Sequence, residues 1–300
     1  MNHPPTLPPA VPADMRLHDT PAGRVAVYRA GPEGGTGALP PLLLVHSVNA
    51  AGSVAEVAPL FQHHRGTRAV YALDLPGFGH SERSDRAYTP RLMTDALHAV
   101  VDLMCREQGV AAVDVLGVSL AGEFVARAQR EAPQKLRRIA LVSPTGFSRA
   151  RRRYGLPGST LGQPWLYRLL TRPFWSDGIY NTLTRPGVIR YFLQRTWGSK
   201  RIDEALWRYA VLTTRQPGAK HAPLYFVSAF LFSADINTLY EALDCPVWVS
   251  MATRGDFTDY QGKATVERRA NWRFHAIEGG ALPYFEDLAA FTAQLDPFWA

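Results

Sequence analysis

The stretch that most restricts what this chain can fold into is residues 113–127. An apolar run of strand type over 113–116 is followed by Gly117-Val118-Ser119-Leu120-Ala121, and a helical pattern then begins with Phe124 and Val125. Small residues two positions either side of a serine, between a strand and a helix, make a very sharp turn. Such a turn holds the hydroxyl out at the strand tip, in a backbone conformation that only a tightly determined loop imposes. Ser119 is therefore a candidate nucleophile. The Leu120 N–H, at the start of the following helix, is a candidate oxyanion donor. The same pentapeptide also serves ordinary strand-to-helix turns, so its meaning depends on its surroundings.

Those surroundings alternate. Residues 24–29 alternate as a half-buried strand does, and 31–39 form a Gly-rich loop. Continuous apolar runs over 42–45 and 69–75 read as strands covered on both faces of a parallel sheet. Helical spacing follows the first of these near 54–61 and the second over 88–108, where Leu92, Ala96, Val100, Leu103 and Met104 share a face. Strands are expected again over 136–143, 246–251 and 272–277, with a last helix from Tyr284. Strand–helix alternation of this kind predicts an α/β fold: a mainly parallel central sheet with helices on both faces. The rhythm stops over 145–239. There Trp165, Trp175, Trp197 and Trp207 are interleaved with arginines, and Pro164, Pro173, Pro186 and Pro217 break the segment into several helices. The expected organisation is a Pro-rich arm over 1–23, a core over 24–144 and 240–300, and a helical cap over 145–239. The first 12 residues of the arm read as disordered or polyproline-like.

Composition narrows the classes. No apolar run approaches the roughly 20 residues that span a bilayer, and the N-terminus has neither the basic nor the apolar region of a secretory signal. Cys105 and Cys245 stand apart, outside any metal-ligand spacing, so buried free thiols in a reducing cytoplasm are expected. Neither a metal nor an organic cofactor is expected. The net charge of +7 includes a run at Arg149, Arg151, Arg152 and Arg153. No nucleic-acid-binding motif accompanies it, so a solvated basic face is the reading, and nucleic acid is not expected as a partner. An Arg-rich aromatic cap also suits weak contact with a membrane surface.

Taken in order, these segments resemble the α/β-hydrolase superfamily over residues 24–300. The strand ending at His46-Ser47 is similar to the family's His-Gly oxyanion strand. Asp74-Leu75-Pro76-Gly77-Phe78-Gly79-His80-Ser81 is similar to its D-x-P-G-x-G-x-S loop. Residues 117–121 are similar to its nucleophile elbow, and Gly280-Ala281-Leu282-Pro283-Tyr284-Phe285-Glu286 to its closing G-H-x-P-x-x-E segment. The resemblance implies the fold, a cap at 145–239, and the Val48 and Leu120 N–H groups as oxyanion donors. It also exposes a gap. The family's base falls on Ala281, and its acid position falls on Gly255, with Asp256 one residue late.

A serine hydroxyl is a poor nucleophile until a base takes its proton. Loss of a triad member leaves roughly 10³–10⁴-fold over water from the oxyanion hole and binding, as in the subtilisin variants used as a reference case. Substitute bases are His46, at the end of the neighbouring strand, and His80, at the same sheet edge. His275 reads as a packed strand histidine, and His221 lies in the cap. Glu123, one turn along the elbow helix, could act as a base if buried, or pair with a cap arginine. Asp256 could bind substrate directly. Asn49 and Ser47 either brace their own loop or hold a substrate carbonyl.

Three classes of function follow. The chain is an atypical hydrolase or acyl-transfer enzyme acting on a small lipophilic ester or thioester. Alternatively it is a pseudo-hydrolase that binds an apolar ligand or a protein partner. A cofactor-free lyase or cyclase in the same cavity rests on fold analogy alone.

Overall fold

The computed structural model describes residues 5–32 and 39–300. The first four residues of the arm, and residues 33–38 of the expected Gly-rich loop, lie outside the described residues. Eight strands form one sheet: β1 (Asp14–Thr20), β2 (Gly23–Ala30), β3 (Leu42–Val45), β4 (Val70–Leu73), β5 (Val113–Val118), β6 (Leu136–Val142), β7 (Val247–Ala252) and β8 (Trp272–Ile277). Their order is β1-β2-β4-β3-β5-β6-β7-β8, with β1 and β2 antiparallel to their neighbours and β3 to β8 parallel. Every residue of β3, β4 and β5 is buried, as uninterrupted apolar runs require when helices cover both faces.

Ten α-helices accompany the sheet among the described residues. The core carries α1 (Ala58–His64), α2 (Pro90–Gln108), α3 (Ala121–Glu131) and, at the C-terminus, α10 (Leu288–Trp299). Between β6 and β7 lie α4 (Pro164–Leu170), α5 (Ser176–Leu183), α6 (Pro186–Trp197), α7 (Glu204–Thr213), α8 (His221–Val227) and α9 (Ile236–Glu241). Pro164 and Pro186 sit at helix starts, where a missing N–H costs nothing. The core residues divide into two apolar clusters, one containing the buried faces of α2 and α3, the other those of α1 and α10. The chain leaves β3 through α1 toward β4, then crosses back through α2 to β5 on the other side of β3. This reversal opens a crevice at the C-terminal ends of β3 and β5, the place where open α/β sheets bind ligands.

The N-terminal segment differs from expectation. β1 falls within residues assigned to the arm, and the arm from Pro5 onward is docked. The Tyr209 hydroxyl of α7 and His80 Nε2 both bond Pro8 O, at 2.9 and 3.0 Å, and Gln216 Nε2 donates to Pro5 O at 2.8 Å. Arg65 Nη1 donates to Pro12 O at 2.9 Å, and Val11 is buried in the core. Prolines lack N–H donors but keep their carbonyls, and those carbonyls tie the arm to both cap and core. Cys105 and Cys245 are free but half-buried rather than buried. Among the described residues, no helix is long and apolar enough to cross a membrane.

Candidate functional site

Ser119 follows β5 with φ +53°, the left-handed region that a non-glycine residue enters only when its surroundings hold it there. Its N–H donates to Val142 O at 2.8 Å on β6, and its carbonyl accepts from Gly122 N at 3.1 Å. A Cβ on Gly117 would sit 3.1 Å from Val125 Cγ2 and 3.2 Å from Gly122 N, so a small residue lets α3 close over the strand end. Ser119 is half-buried, and among the described residues its hydroxyl bonds to nothing.

Across the crevice, the loop after β3 carries Val48. Among the described residues neither the Val48 N–H nor the Leu120 N–H donates to an acceptor, although Val48 and Leu120 are both buried. Two N–H groups on buried residues, free at one crevice, call for an oxygen from outside the chain. The rest of this loop is satisfied internally. Glu56 is buried and accepts from Ser47 N at 2.8 Å and from Asn49 Nδ2 at 2.6 Å. Asn49 Nδ2 also donates to Ser47 Oγ at 3.0 Å, and Asn49 Oδ1 accepts from Ala51 N at 2.7 Å. Ser47 and Asn49 thus brace the loop, which corrects their assignment as substrate contacts. Burial holds the Glu56 carboxyl above the ordinary carboxylate range, opposed by nearby His46 and by these donors.

His46 is fully buried. Its Nε2 accepts from Leu75 N at 3.0 Å, and its Nδ1 lies 2.6 Å from Ser47 O. The first bond needs a bare Nε2, so Nδ1 carries the proton and donates it to Ser47 O. Neither nitrogen is open to the Ser119 proton, which corrects the expectation of a base here. His80 bonds Pro8 O, facing the arm and α7, and so serves the docking of the arm instead. Elsewhere His275 stacks on Trp248 at 5.3 Å, and His221 lies 3.4 Å from Asp85. Among the described residues no histidine bonds Ser119.

The end of α6 packs against residues 255, 256, 280 and 281, where the resemblance places acid and base. The last carbonyls of a helix have no partners within it. Here Thr196 O accepts from Ala281 N at 2.9 Å, and Arg195 O from Asp256 N at 3.2 Å. A Cβ on Gly280 would lie 2.5 Å from Trp197 Cα, and one on Gly255 2.7 Å from Arg195 O. Asp256 is exposed and forms a two-pronged pair with Arg195, Nε to Oδ2 at 2.7 Å and Nη2 to Oδ1 at 3.0 Å. It therefore anchors α6 rather than facing Ser119, which corrects its expected role as a substrate contact. Ala281 is buried beneath this helix end.

Glu123 is fully buried and paired with Arg153 of the cap, Oε1 to Nη2 at 2.5 Å and Oε2 to Nη1 at 3.1 Å. It also accepts from Ser233 N at 2.8 Å and from the Thr145 hydroxyl. With its acceptors filled it is a strut between elbow helix and cap, not a base. Arg127 repeats the device one turn on, pairing with Asp235 at 2.6 Å. Sequence reading missed Ser143, which follows β6 at φ +46°; its buried hydroxyl, like that of Ser250, has no hydrogen-bond partner of good geometry among the described residues. The register that pairs Val118 with Val142 sets Ser143 beside Ser119, a neighbourhood that spacing along the chain does not reveal. His63, His64 and Asp296 bring three nitrogen and oxygen donors within 4.8 Å of one another, close enough to share an ion. They join α1 to α10 at the opposite edge of the sheet from the elbow.

Residues 40–195 match a family model described as the alpha/beta hydrolase fold. Among solved structures the chain is similar to the enol-lactonase from Burkholderia xenovorans LB400, with TM-score 0.72 and 16% identity over 94% of this chain and 99% of that one. It is also similar to carboxylesterase CesB from Bacillus subtilis, with TM-score 0.68 and 16% identity over 96% of this chain and 91% of that one. At these identities the likeness is one of fold. A curated relative, the dihydrolipoyllysine-residue acetyltransferase component of the acetoin cleaving system from Cupriavidus necator, is 39% identical over 84 residues, 27% of this chain and 21% of that protein. The chain thus matches about a fifth of the length of that relative.

Proposed function

This chain belongs to the alpha/beta hydrolase fold family, and within it we propose a binding protein rather than a serine hydrolase. It holds a small lipophilic molecule by a carbonyl-type oxygen and leaves it uncleaved. The observation that carries this reading is the seating of α6: the loops after β7 and β8, which in the family present acid and base, cap Arg195 O and Thr196 O. Without a proton acceptor within about 3 Å, a serine hydroxyl stays a weak nucleophile at neutral pH. The oxyanion geometry needs only backbone, so it outlasts the lost side chains. Free Val48 and Leu120 N–H groups supply two donors for a ligand oxygen. The apolar remainder of the ligand meets the cluster to which Val48, Leu120 and Ala121 belong together with Ala222, Leu231, Phe226 and Phe232 of residues 145–239.

A second reading, slow acyl transfer through Ser119, is favoured by one feature. The residue keeps a left-handed conformation at φ +53° that costs about 1–3 kcal/mol and has no structural need of a hydroxyl. One experiment separates the two. Wild type and Ser119→Ala are treated with a fluorophosphonate and read by intact mass, and wild type is melted with and without an eight-carbon methyl ketone. The binding reading expects no Ser119-dependent adduct and a higher melting temperature with the ketone. A stoichiometric adduct lost in Ser119→Ala overturns it in favour of acyl transfer.

A further inference from the structure

The outer side of the cap combines two properties that rarely occur together without a partner. The first is exposed aromatic and aliphatic surface. Phe174 is 94% exposed and Trp165 62%, with Leu161, Leu169 and Trp175 also exposed. Trp165 and Leu169 are four residues apart on α4 and so share one face. Trp175 Nε1 donates to Leu169 O at 2.8 Å, which fixes the Trp175 ring beside that face. The second property is charge of one sign. From Ala132 to Ser176 the chain has nine basic residues and no acidic one. Arg137, Arg138 and Arg153 of that stretch are engaged with Asp114, with the C-terminal backbone and with Glu123. Arg168 and Arg172 border the aromatic face and, among the described residues, have no carboxylate partner. The Arg172 guanidinium lies 6.0 Å from the Trp175 ring. The nearest acid in sequence, Asp177, is already paired with Lys220 at 2.5 Å.

Large apolar side chains rimmed by arginines, with no acidic group among them, match an interface that is apolar below and negatively charged at its surface. Trp and Arg also suit the headgroup boundary individually, one end of each being apolar and the other polar. We propose that the cap face formed by residues 161–175 docks on an anionic lipid bilayer, with Trp165, Phe174 and Trp175 entering the headgroup layer and Arg168 and Arg172 on the lipid phosphates. The other side of α4 leads inward. Tyr167 lies 4.3 Å from Tyr225 and 5.9 Å from Phe230, ring to ring, and Tyr225 reaches Tyr88 of the core at 5.8 Å. A bilayer on the outer face is thus one helix away from the apolar cluster that includes Leu120. This docking does not depend on whether Ser119 is reactive.

The test is sedimentation of the full chain with sucrose-loaded vesicles of phosphatidylcholine alone and of phosphatidylcholine mixed with phosphatidylglycerol. The expected result is binding to the mixed vesicles that falls as salt is raised, and at least tenfold weaker partition onto phosphatidylcholine alone. Trp165→Ala with Phe174→Ala lowers partition about tenfold. Arg168→Gln with Arg172→Gln lowers it roughly twentyfold on the anionic vesicles only. These side chains are exposed, so both variants keep the wild-type melting temperature. Absence of binding to anionic vesicles at low salt overturns the proposal. So does equal partition of wild type and both variants. Light scattering that shows a dimer lost on Trp165→Ala with Phe174→Ala also overturns it, because the face would then be occupied by a second copy.

Discussion

The pair formed by Glu123 and Arg153 gives the sharpest energetic test of how cap and elbow are joined. Glu123 is fully buried and Arg153 is 8% exposed, so both charges have left water. In Arg153→Met, Glu123 keeps the Ser233 N–H and the Thr145 hydroxyl as donors but loses the cation paired with it. A buried carboxylate stripped of its partner costs about 3–5 kcal/mol, a large share of the roughly 5–15 kcal/mol that holds a domain folded. At roughly 2–4 °C per kcal/mol for a chain of this size, the melting temperature should fall by about 10 °C. Replacing both residues removes both desolvated charges but leaves the Ser233 N–H without its acceptor, so Glu123→Met with Arg153→Met should cost about 1–3 kcal/mol, well below the sum of the two single variants. The coupling energy from the four-protein cycle is then about 3 kcal/mol or more, measured by urea denaturation at neutral pH. A loss below about 1 kcal/mol in Arg153→Met, or a double variant as unstable as the sum of the singles, would refute the reasoning. Water would then already be screening the pair.

Three other outcomes are expected. Burial, with neighbouring His63 and Arg68, lowers the His64 pKa to about 3, while the unfolded chain takes its proton near pH 6.5. The neutral buried ring therefore stabilises the fold fully above pH 6.5, and that contribution is lost as pH falls toward 3. The loss is on the order of 4–5 kcal/mol; denaturation of His64→Leu should show a flatter acid limb, and an unchanged slope between wild type and variant counts against it. Gly280→Ala places a methyl 2.5 Å from Trp197 Cα and should unseat the end of α6, costing about 2 kcal/mol or more and opening residues 195–200 to limited proteolysis. An Ala variant as stable and as protease-resistant as wild type contradicts that seating. Trimming residues 1–12 removes the Pro5, Pro8 and Pro12 carbonyl contacts and should lower the melting temperature by a few degrees, on the order of 1 kcal/mol, without loss of fold.

The strands were legible where physics leaves one reading. Residues 42–45 are an apolar run, 113–118 are apolar but for Asp114, and 272–277 alternate apolar with polar; each is a strand within a residue or two of the expected limits. β1 was not legible because it is an edge strand: Arg16, His18 and Asp19 give it a polar face, and Leu17 is exposed, so no buried alternation marks it. The elbow could be read because the chain cannot turn so sharply around a residue flanked by bulk. The role of His46 could not, since its partner is the N–H of Leu75, 29 residues away, and only the folded sheet brings the two together. The same holds for Arg153, which lies in a basic run that looks solvated until Glu123 is found buried against it.

What the chain spells at residues 255 and 281 is a pair of omissions, and spelling alone leaves open whether another side chain fills them. The structure replaces that question with a steric one. Gly255 and Gly280 have no room for a Cβ because Arg195 O and Trp197 stand within 2.7 Å of where one would be, and the Ala281 N–H donates to Thr196 O. The two loops that the resemblance assigns to acid and base thus hold the last carbonyls of α6.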